Sequence, residues 1–236
     1  MKTLGVVGGM GPESTIEYYR LLVSGYRERV TDGSSAPIII TSVDVNKVLA
    51  LAGAPKLEPL VDYLSRGLWQ LARAGADVGL LAANTPHIAF AELSKRSPLP
   101  LISIVEATRD YAKRFGFKKV GLFGTRSTMQ GGFYQDAFKK DGIEISVPSL
   151  EDQNCVHDKY VGELVAGRFL PDTRDRLLAI AATLKDTQGI EALILGGTEL
   201  PFLLRDDAGI GIPFLDTTRI HVGAALEKMF SWSVIG

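Results

Sequence analysis

Two short apolar runs, Val78 to Leu81 and Ala192 to Leu195, each follow an acidic residue (Asp77, Glu191) and each open into a small polar turn. The turns are Ala83-Asn84-Thr85-Pro86-His87 and Gly196-Gly197-Thr198-Glu199. Apolar residues without alternation predict a strand covered on both faces, as in a parallel sheet. The carboxyl ends of such strands are where open α/β sheets keep their ligands. The rest of the chain alternates strand and helix. A Gly-punctuated strand from Leu4 runs into Gly8-Gly9-Met10-Gly11, and Pro12-Glu13-Ser14-Thr15 opens a helix with Ile16, Tyr19, Leu22 and Val23 at helical spacing. Ala36 to Val43 reads as a β-branched strand. Leu57, Leu60, Val61, Leu64, Leu68 and Leu71 mark one face of a helix that stops at Gly75. Leu101 to Ile104 predicts a short strand, followed by a helix to about Phe115.

The same grammar restarts at Lys118. Lys118 to Arg126 resembles Lys2 to Met10, and placing Gly5 on Gly121 displaces the chain by 116 residues. Placing Asp77 on Glu191 displaces it by 114, so both ends of each half repeat at nearly one offset. The second half then predicts the turn Thr125-Arg126-Ser127-Thr128, a helix through Phe138, a strand from Ile143 to Val147, helices over 152–166 and 173–186, and a strand over 190–195. Residues 216–232 predict a closing helix whose Ile220, Val222, Ala224, Leu226 and Phe230 must pack on something, most naturally the first unit. The expected fold is α/β, two pseudo-symmetric three-layer αβα units with mainly parallel sheets. The first unit spans 1–105, joined by helix 216–232, and the second 106–215. With no low-complexity linker, an ordered cleft between the units is expected.

Charge and cysteine content narrow the partners. With 26 basic against 27 acidic residues, net charge −1, there is no electrostatic footprint for nucleic acid or an anionic membrane. No apolar run approaches the ~18 residues of a membrane span, and the amino terminus does not read as a signal peptide, so cytoplasmic residence is expected. A single cysteine, Cys155, allows no internal disulfide. Three histidines and one cysteine show no metal spacing, so no metal is expected. Gly9-x-Gly11-x-x-Ser14 lacks the third glycine of a dinucleotide fingerprint, and Asp44 comes too late for its acidic residue.

The four strand-end turns carry the candidate chemistry. Glycines such as Gly11 let backbone N–H groups approach a ligand, helix starts favour anions, and Asn84, Thr85, Thr125, Thr128 and Thr198 offer side-chain donors for carboxylates. Met10 and Gly11 shape the same region. Ser, Thr and Asn at such places also serve as ordinary helix N-caps. Arg126 suits a ligand carboxylate or solvent, and Asp44 an ammonium group or a turn cap. His157, His221 and Cys155 have no motif partner and read as structural.

Gly8 to Thr15, Asn84-Thr85-Pro86-His87, Gly124 to Met129 and Gly196-Gly197-Thr198-Glu199, taken in order along nearly the whole chain, resemble the aspartate/glutamate racemase family. The resemblance implies a ligand held between two related units, a homodimer, and cofactor-independent racemisation of a small acidic amino acid. It also implies proton exchange by two thiols, which would fall immediately before Asn84 and Thr198. Those positions are Ala83 and Gly197, which carry no exchangeable proton, so the two-thiol mechanism does not transfer. Three expectations remain open. Glu199 and His87 supply a different acid/base pair, since burial tunes a glutamate and histidine titrates near neutrality; or the altered pocket serves a related isomerase or lyase reaction; or the protein binds a dicarboxylate without turning it over.

Overall fold

A computed structural model describes residues 1–205 and 209–231, so Trp232, the last residue expected in the closing helix, lies outside the described residues. The chain divides into two compact units, one formed by residues 1–104 with the segment from Thr218 onward, the other by Val105–Thr217.

The first unit is built on four parallel strands, β1 (Leu4–Gly8), β2 (Ile38–Ser42), β3 (Val78–Leu81) and β4 (Leu101–Ile102), in the order β2-β1-β3-β4. Central β1 and β3 are buried throughout, while edge strand β2 is only partly covered. That difference explains why the central strands are continuously apolar. Successive side chains alternate between faces. Val7 and Leu81 meet Leu60, Leu64, Leu68 and Leu71 of helix Glu58–Arg73. Val6 and Leu80 meet Tyr18, Leu22 and Tyr26 of helix Pro12–Arg27 on the other face. Each fully buried leucine here contributes roughly 1.5–3 kcal/mol. The carboxyl-terminal helix Thr217–Phe230 lays Val222, Ala225, Leu226 and Met229 against this second face. Gly25 permits the contact, because a Cβ there would lie 2.5 Å from Leu226 Cδ1.

The second unit repeats the plan with β5 (Lys119–Gly124), β6 (Glu144–Ser146), β7 (Ala192–Gly196) and β8 (Phe214–Asp216), all parallel, in the order β6-β5-β7-β8. The repetition reaches individual hydrogen bonds. Asp77 accepts from the Thr3 amide at 2.7 Å, and Glu191 accepts from the Lys118 and Lys119 amides, so each acid at the start of the third strand holds the entry to the first.

Several elements depart from the sequence expectation. Strand β8 and helix Val45–Ala52 are additional; the first has three residues and the second eight, too short for a periodic signal. Asp44 caps that helix, accepting from the amides of Asn46 at 2.8 Å and Lys47 at 3.2 Å. The helix expected through Phe138 breaks at Gly131-Gly132, where Gly132 takes φ 77°. The single helix expected over 152–166 is helix Leu150–Lys159 continued by a wide π-type turn, Tyr160–Leu164.

Candidate active site

Register places the polar turns side by side within each sheet. In the first unit Val7 pairs with Leu81, bringing the Gly8-to-Gly11 loop beside Ala83-Asn84-Thr85. In the second, Gly124 pairs with Gly196, bringing Thr125-to-Thr128 beside Gly197-Thr198-Glu199. A shared device tightens both: Gly8 and Gly124 leave room for a threonine methyl from the following helix. A Cβ on Gly8 would lie 2.4 Å from Thr15 Cγ2, and one on Gly124 2.9 Å from Thr128 Cγ2.

In the first unit the Gly9 amide donates to Thr15 Oγ1 at 2.8 Å, and that hydroxyl donates to the Gly11 carbonyl at 3.1 Å. Met10, Asn84 and Thr85 are all buried. His87 is held by backbone at both ring nitrogens. A carbonyl can only accept, so Nδ1–H donates to Ala83 O at 3.0 Å; Nε2 then accepts from the Ile104 amide at 3.2 Å. Burial, with His221 as the lesser cause, pushes the His87 pKa down to about 3 and keeps the ring neutral. His221 is arranged likewise. It donates through Nε2 to Ile102 O at 3.0 Å and accepts from Tyr18 Oη at 2.9 Å, and burial lowers its pKa to about 4.

These two imidazoles set a pH dependence. The folded pKa values lie below the ordinary 6.5, so the unfolded chain takes up more protons and the contribution is fully present only above pH 6.5. Stability falls as pH drops from 6.5 toward about 4 and 3, with each ring contributing ~1.4 kcal/mol per pH unit within that window. Urea midpoints at pH 7.5, 6.0 and 5.0 should decline accordingly, and His221→Gln should halve the slope. A flat profile across that range contradicts the assignment.

In the second unit Thr125 caps helix Arg126–Gln130, its Oγ1 accepting from the Thr128 amide at 3.2 Å and lying 3.1 Å from Thr128 Oγ1. Arg126 is directed to Asn154 Oδ1 at 3.1 Å, and its amide donates to His157 Nδ1 at 3.1 Å. Burial followed by the Arg126 charge lowers the His157 pKa. Cys155 is partly buried in the same helix and packs at the edge of the core.

Glu199 is 1% exposed, and two hydroxyls converge on its Oε2, one from Thr198 at 3.1 Å and one from Tyr160. Tyr160 is the residue that sequence reasoning missed. Its ring lies over Gly197, where a Cβ would come within 2.3 Å of Cε2. Burial first, and the adjacent Glu199 second, raise its pKa well above the ordinary tyrosine range, so the phenol stays a donor. The available signal was Gly197 itself, since a missing side chain beside a buried strand end needs a filler. Among the described residues no cluster of His, Cys, Asp and Glu is arranged to hold a metal, and no helix is long and apolar enough to cross a membrane.

The Asp/Glu/Hydantoin racemase family model matches residues 7–225. The chain belongs to this family. A candidate Asp/Glu racemase from Yersinia pestis is 35% identical, with a TM-score of 0.86 over 98% of this chain and 100% of that one. An aspartate racemase homologue from Pyrococcus horikoshii is 28% identical, with a TM-score of 0.81 and the same coverage. A glutamate racemase from Limosilactobacillus reuteri is 32% identical over 64% of this chain, the match spanning 56% of that relative's length. The two parallel four-stranded sheets with flanking helices are the fold of these racemase structures.

Proposed function

We propose that this racemase-family protein is a racemase-type isomerase that binds a small acidic amino acid or dicarboxylate at the carboxyl ends of its strands, without a cofactor and as a homodimer in the cytoplasm. Asn84, Thr85, Thr125, Thr128 and Thr198 hold carboxylates, Met10 and Gly11 shape the pocket, and Glu199 exchanges the α-proton. The observation that carries the proposal is the buried carboxylate of Glu199, organised by Thr198 and Tyr160 at the turn after β7. His87, tied to backbone through both nitrogens and neutral, positions its turn and leaves the proton to Glu199.

The positions that the family resemblance assigns to thiols hold Ala83 and Gly197, and the one cysteine stands elsewhere, at Cys155. In the isomerase reading the Glu199 carboxylate is the base. A positioned general base typically supplies ~10²–10⁴-fold, to an extent set by how well its basicity matches the working pH.

The test is deuterium incorporation at Cα of L- and D-aspartate and L- and D-glutamate in D2O, followed by proton NMR. The protein should exchange at least one of these four, and Glu199→Gln should lower the rate by ~10²-fold or more. With the thiol positions empty, a second reading is binding without turnover. Absence of exchange, accompanied by a ligand-dependent rise in Tm, selects that reading over the isomerase.

A further inference from the structure

A proton-transfer role for Glu199 leaves unexplained why a tyrosine ring occupies the side-chain position of Gly197. We propose that Tyr160 is the positioning residue of the Glu199 carboxylate, its ring filling the space that Gly197 vacates and its hydroxyl fixing the carboxylate beside Thr198. This deepens the isomerase reading and rests on it for its catalytic consequence.

Three observations point the same way. The approach is too close for any side chain at 197, since a Cβ would lie 2.3, 2.8 and 3.0 Å from three carbons of the ring. Gly197 and Tyr160 are thus a matched pair. Next, Tyr160 starts the π-type turn with which helix Leu150–Lys159 ends, so its ring is set by a wide final turn. Finally, the phenol and the Thr198 hydroxyl converge on the same oxygen, Oε2. A buried carboxylate held at one oxygen by two neutral donors keeps one orientation, which is the requirement for a base that must meet a Cα–H bond.

The chemistry gives the direction of effect. Both hydroxyls donate to the carboxylate, which favours its charged form. Removing the Tyr160 hydroxyl while keeping the ring makes Glu199 harder to ionise and freer to turn.

Tyr160→Phe is therefore the test, with two readouts. In protein labelled with ¹³Cδ-glutamate, the Glu199 signal is identified by its loss in Glu199→Gln. Its titration midpoint should move upward by about one pH unit in Tyr160→Phe, the scale of one lost hydrogen bond to a charged group. The acid limb of the α-proton exchange profile should move upward with it, with kcat falling more than KM rises. An unmoved Glu199 midpoint overturns the proposal, whatever the activity. A shifted midpoint in a protein that exchanges no substrate keeps the pairing and removes the isomerase reading instead. Gly197→Ala supplies a second route, since it displaces the ring without altering tyrosine or glutamate, and it should move the midpoint in the same direction.

Discussion

Gly9→Ala should cost on the order of 3–5 kcal/mol, enough to leave much of the chain unfolded given a total stability of roughly 5–15 kcal/mol for a domain. Gly9 has φ 84°, where a non-glycine residue costs ~1–2 kcal/mol before any contact is counted. The contacts are worse. A Cβ would lie 2.3 Å from Val43 O, 2.4 Å from Ser42 Oγ and 2.8 Å from Val43 N, and two of these are backbone atoms that cannot rotate away. They also belong to a connected system. The Val43 amide donates to Gly8 O at 3.0 Å, and the Gly9 amide donates to Thr15 Oγ1, so relief at one point breaks the β1–β2 pairing or the loop. Gly33→Ala is the internal control, since Gly33 has φ 80° with no atom within 4 Å of its Cβ position. It should lose only the conformational cost, about 1–2 kcal/mol. Denaturant midpoints of the two variants measure the difference. If Gly9→Ala is within about 1 kcal/mol of Gly33→Ala, the close approach at Val43 is not structural.

That contrast indicates which parts of the architecture can be read from residues. Buried central strands announce themselves because both faces are covered, which demands apolar residues at every position, as in Val78-Gly79-Leu80-Leu81. The duplication was legible for a related reason, since Gly5 and Gly121, and Asp77 and Glu191, meet the same local demands in each unit. Strand β8 was not, because Phe214–Asp216 is defined by pairing with β7 more than by its own composition. The polar turns of the site were visible as strand ends. The roles within them were less so. Asp44 and Thr125 are helix caps, and His87 is bound by the Ile104 amide, a partner supplied from 17 residues away.

Tyr160 shows the limit most clearly. It lies 39 residues from Glu199, at the start of a π-type turn, and only the fold brings the two together. Local periodicity carries no record of that meeting. What the sequence does record is the complementary gap at Gly197.

The largest coupled effect should therefore appear between these two positions. Gly197→Ala alone should destabilise by ~1–3 kcal/mol, the usual cost of overpacking, because a Cβ 2.3 Å from Tyr160 Cε2 must push out a ring that is 5% exposed. Tyr160→Ala alone should cost about 3–5 kcal/mol by opening a cavity in the cluster that holds Phe123, Val156 and Leu164. In the double variant the overlap disappears, since the ring atoms that the added methyl would strike are gone. Its loss should thus fall short of the sum of the single losses by at least ~1 kcal/mol, within the range found for residues in contact. Equilibrium unfolding of all four proteins gives the coupling directly, and additivity to within ~0.5 kcal/mol would mean that ring and glycine do not compete for one space. The same geometry governs any attempt to place a thiol before Thr198. Gly197→Cys in the otherwise unchanged chain meets the ring at its first side-chain atom, whereas in the Tyr160→Ala background the sulfur has somewhere to go. Any α-proton exchange gained on introducing the thiol should consequently depend on removing Tyr160 first.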